Sequence, residues 1–327
     1  MSKTDFSIPR QPQRWLVRYS PYIVAGIILI ALPPFLPSYL QGMATRFLIF
    51  AIFAMSLDVI FGYTGLWSLG HAAFFGTGGY VFGILLLHFG VESFWLAAFC
   101  GVMLATVAAA FFGLFALRVP GLYFMMVTFA LGQLLFSVAV NWYDMTGGPQ
   151  GLSVLRPELG IPWFSWTDIN LYYLVFVAFV ISFLILYRIV NSPFGRALQG
   201  IRDDESRMKH LGYNTWLFKY IAFVIAGLFA GLAGVLYAPY SRLMTPYQIG
   251  FTTSVLAMLY VIIGGVGTLF GAVIGAGVMI FLEFGASMFT AERWPLILGG
   301  VFVLVVMFLR GGIAPHLVKF WKNIKVK

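Results

Sequence analysis

Asn191-Ser-Pro-Phe-Gly-Arg-Ala-Leu-Gln-Gly-Ile-Arg-Asp-Asp-Glu-Ser-Arg-Met-Lys-His-Leu-Gly-Tyr-Asn214 decides how the chain is read. Charged residues make up 9% of the 327 residues. Seven of them nevertheless crowd into this stretch (Arg196, Arg202, Asp203, Asp204, Glu205, Arg207 and Lys209), with Arg188 just upstream. Apolar runs at 170–190 and 217–238 flank it, each matching the roughly 20 residues that a helix needs to cross a bilayer. A polar island between two such runs must lie in water, held between two spanning helices. It also has the marks of a folded segment. Pro193 suits a first helical turn. Phe194, Leu198 and Ile201, at i, i+4 and i+7, share one helix face. Gly200 keeps that helix short. Asp203 or Asp204 can cap a second helix, where a carboxylate meets the positive end of the helix dipole. Lys209 and His210 fall in its last turn, and Gly212 is a C-terminal stop. Two short helices with an apolar ridge and both signs of charge suit docking to another protein. A solvated loop that marks its side of the membrane by charge is the plainer alternative.

The rest of the composition agrees with a membrane protein. Hydrophobic residues are 61% of the chain, against about 45–50% in soluble domains. Long continuous runs, without short alternating segments, indicate an all-α polytopic protein rather than a β-barrel. The formal net charge of +9 does not point to nucleic acid, because the basic residues sit at span ends and tails. Cys100 is the one cysteine, lies in an apolar run, and reads as a small packing residue. Residues 1–21, with Lys3, Arg10, Arg14 and Arg18, read as a polar cytoplasmic arm. No small-residue cleavage site follows, so they are not read as a cleaved signal peptide.

Ten spans are expected, at 22–40, 44–61, 70–88, 94–117, 122–141, 170–190, 217–238, 250–266, 268–287 and 295–309. Together they form a permease domain over 22–309, followed by a basic cytoplasmic tail over 310–327. Pro33, Pro34 and Pro37 should break or kink the first span. The loop over 142–169 carries Thr146-Gly-Gly-Pro-Gln-Gly151, and its Trp163 and Trp166 suit a membrane interface. Ten spans put both termini on one side. Sixteen of the 20 Lys and Arg residues then fall inside, and Arg46, Arg156, Arg242 and Arg293 fall outside. That split favours both termini in the cytoplasm, with 191–216 cytoplasmic and 142–169 periplasmic. The count drops to eight if spans 2–3 or 8–9 are half-helices. A five-plus-five inverted repeat is compatible with this layout.

No phosphate loop, metal-ligand spacing or nucleophile elbow is present. His71, His88, His210 and His316 have no Cys or His at ligand spacing. No catalytic residue, metal site or bound cofactor is therefore expected. Asp58 and Glu283 are the acids placed in or near the membrane, where such groups are costly and often functional. Glycines 62, 65, 70, 76, 78, 79 and 83 crowd one stretch, joined by Ser68 and His71. Glycine permits close helix approach and lets the backbone leave helical geometry. The stretch is thus either tight packing or a broken helix lining a substrate path, and 264–277 reads the same way.

Three motifs occur together in one order. Ser68-Leu-Gly-His-Ala-Ala-Phe-Phe-Gly76 resembles the S-L-G-H-A-x-F signature of branched-chain amino acid ABC permeases of the LivM type. Ser192-Pro-Phe-Gly-Arg-Ala-Leu, continuing through Ile201-Arg-Asp-Asp-Glu to Leu211-Gly212, resembles that family's cytoplasmic coupling segment. Gly264-Gly-Val-Gly-Thr-Leu-Phe-Gly-Ala resembles its late glycine motif. The loop over 146–151 matches in type and position, and the resemblance covers about 40–310. It departs at Asp58, where an amide is expected, and at Trp67, where a smaller or amide side chain is expected.

The resemblance implies the membrane subunit of an ATP-driven importer in the bacterial inner membrane. Its partners would be a second, LivH-like permease, two cytoplasmic ATPases that bind ATP and Mg, and a periplasmic amino-acid-binding protein. Branched-chain or other apolar amino acids are the implied substrates, with urea, a short amide or a sugar as alternatives. A stand-alone secondary transporter is the reading from another class. On the importer reading, Pro193, Phe194, Gly195, Arg196, Leu198, Ile201, Arg202, Asp203, Asp204, Glu205 and Gly212 would couple to the ATPase. Phe194, Leu198 and Ile201 would fill a groove on it. Asp58, Gly65, Ser68, Gly70, His71, Gly264, Gly265 and Gly267 would line the substrate path. Gly147, Gly148 and Gly151 would meet the binding protein.

Overall fold

The computed structural model describes residues 29, 33–160, 165–289, 299–300, 303, 307 and 311–314. The N-terminal arm, most of the expected first span, Trp163, nearly all of the expected tenth span and the end of the tail lie outside the described residues. The described chain is helical, with eight apolar helices as its framework. They are α1 (Ser38–Phe61), α2 (Ala72–Leu87), α3 (Phe94–Ala116), α4 (Gly121–Asn141), α6 (Asp168–Asn191), α9 (Thr215–Ser241), α10 (Phe251–Gly264) and α11 (Leu269–Phe289). Three short helices, α5 (Tyr143–Thr146), α7 (Pro193–Asp203) and α8 (Glu205–His210), sit in the links. Six framework helices are long and apolar enough to cross a membrane, whereas α2 and α10, with 16 and 14 residues, are shorter.

Spans 2 to 9 of the sequence reading each correspond to one of these helices. The largest discrepancy is at α1, which begins at Ser38 rather than 44. Residues 38–40, expected to end the first span, open this helix instead. Pro37 cannot continue a helix from its N-terminal side, but its fixed φ (−56°) suits the position just before one. Gln41 then donates to the Pro33 and Leu36 carbonyls at 3.0 and 2.8 Å, which ties the proline turn to the start of α1.

Helices α1 and α9 form the centre. Helix α1 is buried from Leu48 to Phe61, as a helix apolar on every side should be. It packs on α6, α9, α10 and α11, while α9 packs on α1, α2 and α3. Gly227 and Gly231 of α9 lie against Ala109 and Ala105 of α3, and Gly234 lies against the Phe75 carbonyl of α2. A side chain at any of these glycines would force the helices apart, which is the small-residue packing used between membrane helices.

The links gather at two ends. At one end, Arg202 of α7 reaches the Gly62 carbonyl, and Asp58 of α1 binds the Gly267 amide. This brings the links 62–71, 191–214 and 264–268 together. At the other end, β1 (Leu152–Ser153) pairs antiparallel with β2 (Leu243–Met244), and the Phe94 amide donates to the Glu158 carbonyl at 3.1 Å.

Candidate coupling hairpin and helix-break site

Local rules fold the polar island into a helical hairpin. Ser192 accepts the Gly195 amide at 3.4 Å, and Pro193 opens α7. Asp204 caps α8 by accepting the Arg207 amide at 3.0 Å. Gly212 takes φ +88°, which turns the chain out of α8. Asn214 caps α9 by accepting the Leu217 amide at 3.1 Å.

The apolar ridge does not face outward. Leu198 and Ile201 are buried, and Phe194 is half-buried with its ring stacked on Phe218 at 5.4 Å. Helix α7 packs on α6 and α9. The ridge expected to fill a partner's groove is therefore covered by this chain's own helices. The reason is simple: α7 lies across two membrane helices, and burying its apolar face there releases ordered water. Gly195 helps by letting α7 fold tightly onto the Val190 backbone. The water-facing side holds Arg196, Gln199, Asp203, Ser206, Arg207 and Lys209.

Two of the expected partner contacts also bond within this chain. The Glu205 carboxylate accepts from Lys219, from the Thr215 hydroxyl at 3.0 Å and from Lys209 at 3.1 Å. Burial pushes this carboxyl up, but the bonds from Lys219, Lys209 and Thr215 outweigh it and hold the pKa down at about 2. Arg202 donates to the Gly62 carbonyl, and its Nε stands 3.7 Å from Asp203.

Around Gly62 three segments converge. Asp58 Oδ1 accepts the Gly267 amide at 2.8 Å, while its Oδ2 is buried with no partner among the described residues. A side chain on Gly62 would strike Asp58 and the Gly267 backbone. Gly65, at φ +73°, is exposed and lies under the Arg202 stem. Gly265 and Gly267 take φ +122° and +78°, and Gly264 lies against the Gly271 carbonyl.

Ser68, Gly70 and His71 form a second group further along the break. Gly70 meets the Thr128 carbonyl and Gly132 of α4, and the Leu69 amide donates to the Thr128 hydroxyl at 3.3 Å. The Ala72 amide, at the start of α2, donates to Ser254 of α10 at 2.9 Å. The His71 ring is buried and stacks on Phe53 at 5.4 Å, with Nε2 2.8 Å from Ser56 Oγ. Ser56 already donates to the Phe53 carbonyl. His71 Nδ1 finds no partner among the described residues. The Ser68 hydroxyl is likewise buried and unpartnered there. Ser56, Thr128 and Ser254 were absent from the sequence reading. Hydroxyls inside apolar runs were the available signal.

Glu283 lies away from this site and is paired, with Arg46 donating to both its oxygens at 3.1 Å. In the loop, Gly147, Gly148 and Gly151 take φ +72°, +60° and +83°. Gly148 is buried and the other two are half-buried. These glycines shape the turn, while Tyr143, Gln150 and Leu155 present its exposed surface. No metal-ligand group of three or more occurs among the described residues.

Residues 39–309 match the family model for the permease component of branched-chain amino acid transport systems. The chain belongs to that family. As a branched-chain amino acid transport permease, it is a transport subunit rather than an enzyme. It is 29% identical over 323 residues to the high-affinity branched-chain amino acid permease protein LivM of Escherichia coli K12, covering 91% of this chain and 76% of the relative. It is 25% identical over 284 residues to BraD of Pseudomonas aeruginosa, covering 81% and 91%. LivH of Escherichia coli K12 is 25% identical over 282 residues, covering 81% and 90%. No solved structure matches the permease.

Proposed function

We propose that the permease is the membrane subunit of an ATP-driven importer in the bacterial inner membrane, moving branched-chain or other apolar amino acids. The family match over 39–309 carries this reading. A second permease of the LivH kind would complete the pore, two cytoplasmic ATPases would bind ATP and Mg, and a periplasmic binding protein would deliver substrate. The hairpin over 193–212 would seat on an ATPase by its water-facing side, through Arg196, Asp203, Arg207 and Lys209. Charge there would set register and partner choice more than raw affinity. The breaks at 62–71 and 264–268 would border the substrate path, and the exposed surface of the loop over 142–160 would meet the binding protein.

Ten spans with both termini in the cytoplasm remain the topology we favour. Among the described residues, Arg118, Arg188, Arg196, Arg202, Arg207, Lys209 and Lys219 lie at the hairpin end, against Arg46, Arg156 and Arg242 toward the other. Seven against three supports a cytoplasmic hairpin. The inverted repeat has support too. Helix α1, a break, the short α2 and then α3 are echoed by α9, a break, the short α10 and then α11. The link 62–71 lies at the hairpin end and the link 242–250 at the other, and α9 packs on α2 and α3 as α1 packs on α10 and α11.

Mild-detergent purification from native membranes, with mass spectrometry of what co-purifies, tests the assembly. Two ATPase chains and a second permease are expected. Recovery of this chain alone, while a control importer survives the same detergent whole, would make it a stand-alone carrier.

A further inference from the structure

One contact joins parts of the chain that the motifs treat separately. Arg202 leaves α7, passes over Gly65, and donates to the Gly62 carbonyl at the end of α1. Gly62 itself lies against Asp58 Oδ1 and against Gly267, whose amide that oxygen binds. A Cβ on Gly267 would stand 3.0 Å from the Arg202 guanidinium. The hairpin, the first break and the late glycine link thus meet around one guanidinium and one carboxylate. Asp58 Oδ2 is the oriented acceptor left over, buried and unpartnered among the described residues. A buried carboxylate oxygen without a partner, sharing Gly62 and Gly267 as neighbours with a guanidinium, marks a place where a second arrangement would gain a bond, because buried acceptors gain from a charged donor.

We infer that Arg202 is the positioning residue through which the hairpin acts on both breaks, with Asp58 as its fixed counterpart. In the arrangement seen here, Arg202 holds the Gly62 carbonyl, and Asp58 holds the 264–268 link. When the hairpin shifts, the guanidinium moves from Gly62 onto the Asp58 carboxylate, freeing the end of α1 and loosening the grip on Gly267. The glycines suit this role. Gly62 leaves room for the carboxylate, and Gly65 and Gly267, both at positive φ, admit the arginine stem and tip without a side chain in the way. The inference rests on reading 193–212 as the segment that meets the ATPase.

The test uses the full complex with its ATPases, reconstituted in liposomes with its binding protein and with leucine as the probe. The quantities read are ATPase recovery and leucine moved per ATP hydrolysed. Arg202→Gln and Asp58→Asn should keep the ATPases bound and each lower the ratio about tenfold, the scale of losing one charge-assisted hydrogen bond. The double variant should be no worse than the poorer single one, because both residues act in one joint. Arg202→Lys, which keeps a charged donor, should recover most of the ratio, and Asp58→Asn carries the loss arm of the test if Arg202→Gln fails to insert. Arg207→Glu, on the water-facing side, should instead lower ATPase recovery.

Other outcomes separate the two ideas. An unchanged ratio in Arg202→Gln and Asp58→Asn, with ATPases retained, overturns the joint and leaves the coupling reading standing. Loss of the ATPases in Arg202→Gln but not in Asp58→Asn makes Arg202 a docking residue and also overturns the joint. A wild-type chain that recovers no ATPase overturns both.

Discussion

Replacing Glu205 with Gln should detach α8 from α9 without unfolding the membrane helices. The carboxylate is the hub of α8, taking Lys219, Lys209 and the Thr215 hydroxyl. Its pKa falls from an ordinary 4.5 to about 2. At about 1.4 kcal/mol per pH unit that sets a ceiling of about 3 kcal/mol. The Glu205 and Lys209 side chains are 35% and 60% exposed, so water screens the pair. Discounting for that leaves about 1–2 kcal/mol. Hydrogen exchange of the amides over 205–210 should therefore quicken about 5- to 30-fold in Glu205→Gln. The pH dependence has a definite sign. A depressed carboxyl pKa stabilises fully above about 4.5 and is lost as pH falls toward 2. After correction for intrinsic exchange, wild-type protection should be flat between pH 6 and 8. Wild-type-like exchange in Glu205→Gln, or a titration of that protection near neutral pH, would refute the account.

Three further expectations concern residues of different kinds. Leu198→Ala should destabilise the chain itself by about 2–4 kcal/mol, because it empties a fully buried site; an unchanged unfolding midpoint in detergent would mean that the ridge is not covered as described. Gly70→Leu should abolish uptake while the ATPases still co-purify, since any side chain there meets the Thr128 carbonyl; persisting uptake would show that the break tolerates bulk. Arg46→Ala should cost about 1–3 kcal/mol by leaving Glu283 half-buried without its cation, and removing Glu283 as well should recover part of the loss; strictly additive losses by thermal unfolding would show that the two are not coupled.

What the sequence made legible was local. Apolar runs located the eight framework helices, and Pro193, the Asp203–Asp204 pair and Gly212 marked the hairpin because capping and turn chemistry act within a few residues. What it could not show was which neighbour covers a face. The spacing of Phe194, Leu198 and Ile201 establishes that they share a side, but a ridge bound for a partner and one bound for α6 and α9 have the same spacing. Long-range pairs were equally hidden. Arg202 and Gly62 are 140 residues apart, and Arg46 and Glu283 are 237 apart. The charge run invited a reading in which Arg202 and Glu205 face a partner, whereas both bond within this chain.

That division of charges has a mechanical consequence. The hairpin is held to the membrane helices at two points of different chemistry. Helix α7 is tied through Arg202 to the end of α1 and, by way of Asp58, to the 264–268 link. Helix α8 is tied through Glu205 to the first turn of α9. Helices α1 and α9 are also the two that pack centrally against each other. A push on the hairpin as a unit therefore reaches both halves of the bundle at once, one half through each tie. Cutting one tie should not mimic cutting the other. Arg202→Gln should leave the exchange rates over 205–210 near wild type while changing those over 62–71. Glu205→Gln should do the reverse. Equal loosening of both segments by either change would mean that the hairpin melts as a whole, and that α7 and α8 do not carry separate attachments.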